Sequence, residues 1–302
     1  MNIDHLILFQ KIVEKGGLAV AGRELGLSPT TVSERLAALE SYYGVTLLNR
    51  TTRAISLTEE GRVLFEGAHQ LLSEVDELDY RIRLGAQTLS GPIRISAPLG
   101  LGRDIIEPVI NQFLEDNPQT SVELMLSDGY VDIIHEGIDF AVRFGELRDS
   151  SLRARVLGEN HRVVVASPDY IKRFGRPEHP NDLEKHNCMV MRFGLHPDNV
   201  WRFVEGGKEF SVNVTGNRIA NDGRLVHQWA LEGHGLALKS MWDVGRDVKT
   251  GKLVHLLADF APEPSLVQLL FPPSRSQPRR VKELAAKLTE AFERRYLEIK
   301  PA

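Results

Sequence analysis

The residue types that perform covalent or acid–base chemistry are present but fall into no working arrangement. His135-Glu136 is followed by Gly137-Ile138-Asp139, so it is not the HExxH pair that holds zinc on one helix face. Gly233-His234-Gly235 leads to Lys239-Ser240 with Leu238 where a phosphate loop needs glycine before its lysine. No G-x-S-x-G elbow occurs, and Cys188 stands near His186 without a third partner. As the one cysteine, Cys188 excludes an intrachain disulfide and a cysteine zinc site, and reads as a small buried hydrophobe. No catalytic residue, metal ligand or cofactor is expected.

A different chemistry is written in the spacing Gly22, Gly26, Val32, flanked by Ala21, Leu25 and Leu27. Two helices that cross closely need a tiny residue in the first, a glycine able to take φ > 0 between them, and a branched apolar anchor in the second. The same spacing also fits an ordinary αα-hairpin. In the second helix Val32, Leu36 and Leu39 recur at i, i+4, i+7 and face a core, which turns Thr30, Thr31, Glu34 and Ser41 outward as candidate base readers. Ser28, Ser33 and Arg35 join them as candidate DNA contacts. The next segment, VTLLNRTTRAISLT, reads as a β-hairpin wing with Arg50, Thr51, Thr52 and Arg53 at its tip. Arginines there suit the minor groove, and threonines suit phosphates; the bland alternative is a solvated basic turn.

These residues sit in a chain of 302, long enough for two or three domains, with 42% hydrophobic and 26% charged residues. That profile excludes collagen-like and disordered classes. The first 15 residues lack a basic n-region and no apolar run reaches membrane-spanning length, so a cytoplasmic protein without membrane contact is expected. The net charge of −4 argues against nucleic acid if read globally, but residues 1–58 hold 6 basic against 5 acidic side chains, a local +1. DNA contact on so weak a charge must depend on where the arginines sit and on oligomerisation.

The elements that must position these groups follow from periodicity. Short helices run to about residue 45, with Ser28 as N-cap and Pro29 at the first position of the third. One long helix spans 59 to about 86. From Gly91-Pro92 strands and helices alternate, with parallel pairing expected and strands at Ile93–Ala97, Ser121–Leu126, Phe140–Arg143, Val163–Ser167, Cys188–Phe193, Val212–Thr215, Leu236–Lys239 and Leu266–Phe271. A helix is expected near Val131–Gly137, and an amphipathic one at Arg279–Leu297. In the long helix Leu64, Ala68, Leu71, Val75, Leu78 and Ile82 form a seven-residue repeat, an apolar seam that must be buried against a second copy or against the chain's own C-terminal part.

The stretch AGRELGLSPTTVSERLAALESYYGVTLLNRTTRAISLTEEG resembles the DNA-binding half of a LysR-type transcriptional regulator. GPIRISAP, VDIIHEGIDFAVRFGELRDSSLRARVLG, GRPEHPNDL and LEGHGLALKS extend the resemblance over essentially the whole chain, and VDIIHEGIDFAVRFGEL is most similar to the CrgA-like branch. The departures are Glu34, where the family commonly has Arg or Gln, and Gly17 and Ala19, where it often has Ser and Thr.

The resemblance implies a multidomain α and α/β chain. Residues 1–58 form a winged helix-turn-helix, 59–90 a dimerising linker helix, and 91–302 a two-lobed α/β effector domain like a type 2 periplasmic binding protein. Lobe I takes about 91–163 and 267–302, and lobe II about 164–266. It also implies double-stranded promoter DNA, a small-molecule effector, RNA polymerase and self-association to a homodimer or a dimer of dimers as partners, and no enzymatic activity. Open α/β sheets bind ligands beyond the C-terminal ends of their strands. Those ends are here Pro98-Leu99-Gly100-Leu101, Ser127, Phe144-Gly145 and Asn221, the last leading to the helix with His227. The loop at 98–101 offers free helix N-terminal amides to a carboxylate, and Arg192 a charge from a strand facing the cleft; Arg192 and His227 also fit ordinary surface roles. The expected effector is an organic or aromatic acid. A small-molecule binding protein without DNA affinity and an enzyme working in the cleft are the competing readings.

Overall fold

The computed structural model describes residues 2–50, 55–84, 88–129, 131–145, 152–273 and 277–300. Helix α1 (Ile3–Lys15) starts where the Asn2 side chain accepts from the Asp4 amide and ends at Gly16, whose φ of 65° a glycine tolerates without strain. After α2 (Leu18–Glu24), Gly26 turns the chain at φ 66° into α3 (Pro29–Tyr43), with Ser28 accepting from the Thr31 amide. Leu6, Phe9, Ile12, Val32, Leu36 and Leu39 close one core between the three helices. Strands β1 (Leu48–Arg50) and β2 (Ile55–Leu57) pair antiparallel as the wing, and Glu40 at the end of α3 accepts from the Leu47 amide to fix its entry. Thr58 then caps α4 (Glu59–Leu84) by accepting from the Gly61 amide while its own hydroxyl donates to the Thr46 carbonyl.

The chain continues as β3 (Gly91–Ala97), α5 (Leu99–Leu101), a π turn over Gly102–Ile106, and α6 (Glu107–Asp116). Strands β4 (Thr120–Leu126), β5 (Phe140–Phe144), β6 (Arg153–Asn160) and β7 (Arg162–Ala166) precede α7 (Pro168–Phe174). Next come β8 (Cys188–Phe193), β9 (His196–Pro197), β10 (Val200–Glu205), β11 (Lys208–Asn213) and β12 (Ile219–Ala220). Helix α8 (Gly223–Leu231), β13 (Leu236–Ser240), α9 (Met241–Lys249), β14 (Val254–Leu256), β15 (Ser265–Phe271) and α10 (Arg279–Ile299) complete the order.

Two larger sheets result. The first runs β4-β3-β5-β15-β6, and the second β12-β8-β13-β7-β14 with β9 beside β8. The expectation of parallel pairing holds for β3 with β4 and β5 and for β8 with β12 and β13, but β15 lies antiparallel between β5 and β6, and β13 and β14 are antiparallel to β7. Strands β7 and β15 each enter their sheet from the other one without an intervening α-helix and run against their neighbours, whereas β13 and β14 follow α8 and α9 within the second sheet and β13 stays parallel to β8. In place of the helix expected near Val131–Gly137, residues 133–137 form a single hydrogen-bonded turn. The Asp132 side chain accepts from the His135 amide, and Gly137 at φ 64° ends the turn at once. Each sheet has its own apolar core, and Trp242 at the start of α9 inserts into that of the first sheet, its indole N–H donating to the Glu159 carbonyl.

Candidate functional site

Two sites emerge, one on α3 and the wing and one between the sheets. On α3, Ser28, Thr30, Ser33 and Glu34 are exposed, while Thr31 and Arg35 are half-buried. The 3.6-residue period explains this sorting, since Val32, Leu36 and Leu39 take the buried stripe. Three of the hydroxyls are engaged locally. Ser28 Oγ accepts from the Thr31 amide and lies 2.8 Å from Thr31 Oγ1, and Ser33 donates to the Pro29 carbonyl. Glu34 and Thr30 are left as the outward groups with the fewest internal obligations. Arg50 closes β1 as expected in its backbone, whereas Thr51, Thr52 and Arg53 lie outside the described residues.

The seam on α4 divides. Leu64 and Ala68 pack with Phe65 and Leu72 into the helix-turn-helix core, which corrects their expected place at a dimer contact: the first turns of α4 close their own domain. Leu71, Leu78 and Ile82 are exposed by 37%, 55% and 73%, and Val75 is half-buried. Only this C-terminal part of the seam presents an uncovered apolar face.

Between the two sheets lies a cavity of about 680 Å³. Pro98, Leu99, Gly100, Leu101, Ser127, Phe144, Gly145 and His227 line it as the sequence suggests. Arg192 and Asn221 do not. Alternation along β8 places Met191 and Phe193 on the cavity wall and leaves Arg192 on the other face, exposed, with Pro197 opposite it; Asn221 is exposed while its neighbour Asp222 lines the cavity.

The loop at 98–101 is also not the open anion seat expected. Asp128 Oδ1 already accepts from the Leu99 amide at 3.0 Å, and a Cβ at Gly100 would stand 2.6 Å from Asp243 Oδ1. The protein's own carboxylates meet this helix start. Burial raises the Asp128 carboxyl above its ordinary range, with the Leu99 amide opposing and Asp243 adding repulsion.

The charged groups that local sequence patterns do not reveal decide what the cavity can hold. Lys239, buried, pairs with Asp243 at 2.8 Å, and Arg162 pairs with Asp198 at 2.9 Å, so both cations are neutralised. His227 Nε2 approaches Asp247 Oδ2 to 2.9 Å off the hydrogen-bonding direction, and burial followed by Lys239 lowers its pKa. Arg143 differs. Its guanidinium donates to the Val142 carbonyl at 2.8 Å and to Ser96 Oγ at 2.6 Å, and among the described residues it makes no ion pair. Burial pulls its pKa below the usual value, opposed by the fields of Asp128 and Glu136, and an arginine so placed stays charged at neutral pH. Leu101, Ile133, Phe144, Leu152, Leu238 and Leu270 supply an apolar wall. Arg103 pairs with Asp222 at 3.8 Å and Arg224 is exposed at the cavity's margin, so Arg143 is the half-buried cation that, without an ion pair among the described residues, faces apolar surface, a composition suited to a carboxylate with a hydrocarbon body. No cluster of three or more metal-ligating side chains occurs among the described residues.

Known proteins match the chain along both parts. Residues 3–62 fit the family described as bacterial regulatory helix-turn-helix protein, lysR family, and residues 86–293 fit the LysR substrate binding domain. The HTH-type transcriptional regulator DmlR of Escherichia coli K12 is 35% identical over 258 residues, covering 85% of this chain and 84% of its own. The HTH-type transcriptional activator AaeR of the same organism is 30% identical over 292 residues, covering 96% and 94%. Among solved structures, CrgA, a LysR-type transcriptional regulator from Neisseria meningitidis, is 28% identical with a TM-score of 0.57, covering 99% of this chain and 98% of its own. The virulence activator AphB of Vibrio cholerae is 29% identical with a TM-score of 0.61, covering 96% and 99%. Full-length LysG from Corynebacterium glutamicum, at 20% identity and a TM-score of 0.72 over 97% and 98%, shares the fold.

Proposed function

The chain belongs to the LysR family of transcriptional regulators, and from that premise we propose that it binds promoter DNA as a homodimer that can pair into a tetramer and responds to a small organic acid held at Arg143 between its lobes. The observation that carries the ligand class is the half-buried Arg143 guanidinium on the cavity wall, which makes no ion pair among the described residues. A carboxylate there would gain a charge-assisted bond without displacing an internal ion pair, and Leu101, Phe144 and Leu270 would cover its hydrocarbon part. Ser127 is a further hydroxyl lining the cavity. Glu34 and Thr30 are the proposed base readers, Arg50 and Arg53 the proposed groove and phosphate contacts of the wing, and the exposed seam Leu71, Val75, Leu78, Ile82 the proposed dimer contact. The protein acts without catalysis, in the cytoplasm where its DNA is, and contacts RNA polymerase there. No helix among the described residues is long and apolar enough to cross a membrane.

Two measurements test this. A gel shift with DNA flanking the protein's own gene should show sequence-dependent binding, and its absence would leave a small-molecule binding protein. A thermal-shift screen of small organic acids should find a stabilising compound whose effect is lost in Arg143→Met while the variant still folds and shifts DNA at raised protein concentration. An unchanged shift in that variant moves the anion seat away from Arg143.

A further inference from the structure

The apolar cores of the molecule do not cross the junction between the helix-turn-helix unit and the first sheet. The cluster holding Phe9, Leu36 and Phe65 contains no residue beyond Leu72, and the cluster holding Ile95, Phe140 and Phe292 begins at Leu89. What spans the junction is polar. Glu14 on α1 pairs with Arg94 on β3 at 3.1 Å, across 80 positions of sequence, with only 14% and 26% of the two side chains exposed. Within the helix-turn-helix unit His69 on α4 lies 2.8 Å, at Nδ1, from Gln10 Nε2 on α1, and across the junction its ring packs 3.3 Å from where a Cβ of Gly137 would stand. Asp139, two residues on, faces His69 and Arg94 and accepts from the Arg94 amide at 2.8 Å while its own amide donates to the Arg94 carbonyl at 2.9 Å. Phe65 and His135 add a ring contact at 6.1 Å.

The same two strands lead to the cavity. Arg94 and Ser96 lie two apart on β3 and share a face, and Ser96 accepts from Arg143. Asp139 directly precedes β5, which carries Arg143. A ligand that draws the Arg143 guanidinium toward the cavity therefore pulls on both strands that hold the junction.

We infer that Gln10, Glu14, His69, Arg94 and Asp139 form a polar latch that orients the helix-turn-helix unit on lobe I and that β3 and β5 connect it to the occupancy of the cavity. The latch fixes the angle at which α3 is presented, so its release lowers specific DNA affinity by removing preorganisation. The link to DNA rests on the function proposed above; the latch itself does not.

Hydrogen exchange on the full chain tests it, with Glu14→Gln, Arg94→Gln and the double variant. Glu14 also pairs with Lys11 inside α1 and Arg94 with Glu123 inside the first sheet, so the pair they share is the one of these three that crosses the junction; each single substitution should speed exchange of the last-turn amides of α1 about tenfold, and the double should add far less than a second tenfold. Exchange in β7 and β13 should stay unchanged, which separates release of the latch from loss of the fold. Additive acceleration in the double variant, or none in either single, overturns the latch. Arg143→Met, which touches no residue of the helix-turn-helix unit, should alter exchange in the same α1 amides; if it does not, the strands do not transmit. In gel shifts Arg94→Gln should weaken specific binding about tenfold, and equal affinity overturns the link to DNA. If the parent chain binds no DNA at all, the proposed function fails while the exchange results still decide the latch.

Discussion

Gly22→Ala probes the crossing of α2 and α3 directly. A Cβ built at Gly22 stands 2.8 Å from Val32 Cγ2 and 3.3 Å from the Leu27 carbonyl oxygen, against an ordinary carbon separation of about 3.5 to 4.0 Å. The helices must part by roughly 1 Å, and overpacking of this kind costs about 1 to 3 kcal/mol. Alanine regains about 1 kcal/mol through its helix propensity. The two effects nearly offset, so the net loss of stability in urea is small, roughly 1 kcal/mol. The displacement of α3 is not offset. Hydrogen bonds to base edges require about 2.7 to 3.2 Å, and breaking one bidentate pair with a base costs roughly 1 to 3 kcal/mol, so specific DNA affinity falls tenfold or more while the protein stays folded. Val32→Ala removes the colliding methyl; alone it costs roughly 2 kcal/mol, from two methyl groups and the cavity they leave. Combined with Gly22→Ala it should restore affinity and give a stability loss smaller than the two singles together. Additivity within about 0.5 kcal/mol, or unchanged DNA affinity in Gly22→Ala, would refute the reasoning.

Leu78→Glu places a charge on the exposed part of the α4 seam and should convert a dimer to monomers in sedimentation without changing the melting of the monomer, whereas Leu64→Glu should unfold the helix-turn-helix unit itself; a Leu78→Glu dimer would mean the seam is covered elsewhere. Burial lowers the pKa of His69, His186, His227 and His255, so below the ordinary value of 6.5 the unfolded chain binds protons that the native chain refuses. Stability in urea should therefore decline as pH falls through the ordinary histidine value of 6.5, with the raised carboxyls of Asp128 and Asp139, which the native chain protonates before the unfolded one, offsetting part of the loss, and a rise in stability from about pH 7.5 to about pH 6.5 would contradict the assignment. Cys188 is fully buried and its thiol is pushed up to about 12, so peroxide should leave the mass of the native protein and its gel shift unchanged; rapid sulfenylation would show that the site opens.

Local signals are the most legible. The cap at Ser28, the glycine at 26 and the i, i+4, i+7 stripe of α3 act within a few residues of one another, so the sequence alone places the start of that helix at Pro29, where it is observed. The α4 seam shows why a repeat is not a partner: the period marks an apolar face, but Phe65 and Leu72 decide that Leu64 and Ala68 close an internal core. Strand β6 escapes sequence reasoning because Arg153 to Val156 are all exposed and offer no alternation. In the cavity, the expectation for Arg192 is one position out of phase, and Arg143 carries no local signal beyond its place at the end of a strand. That Asp128 occupies the Leu99 amide depends on two residues 29 apart, a contact no local pattern encodes.

The placement of β15 between β5 and β6 governs the order in which the chain can be completed during translation. Asn160 on β6 waits for Ser265, 105 residues later, and Gly145 waits for Gln268, 123 residues later. The helix-turn-helix unit and the second sheet are each contiguous and can close as they leave the ribosome. The first sheet cannot: until β15 is synthesised, β5 and β6 present unpaired edges, and ordering so long an intervening segment carries a loop-closure cost. A nascent chain stopped just before Ser265 would hold a finished DNA-binding unit beside half a sheet with two sticky edges. Truncated products of this gene should accordingly be captured by chaperones or aggregate, and the segment from β15 onward acts as the clasp that makes the polypeptide soluble.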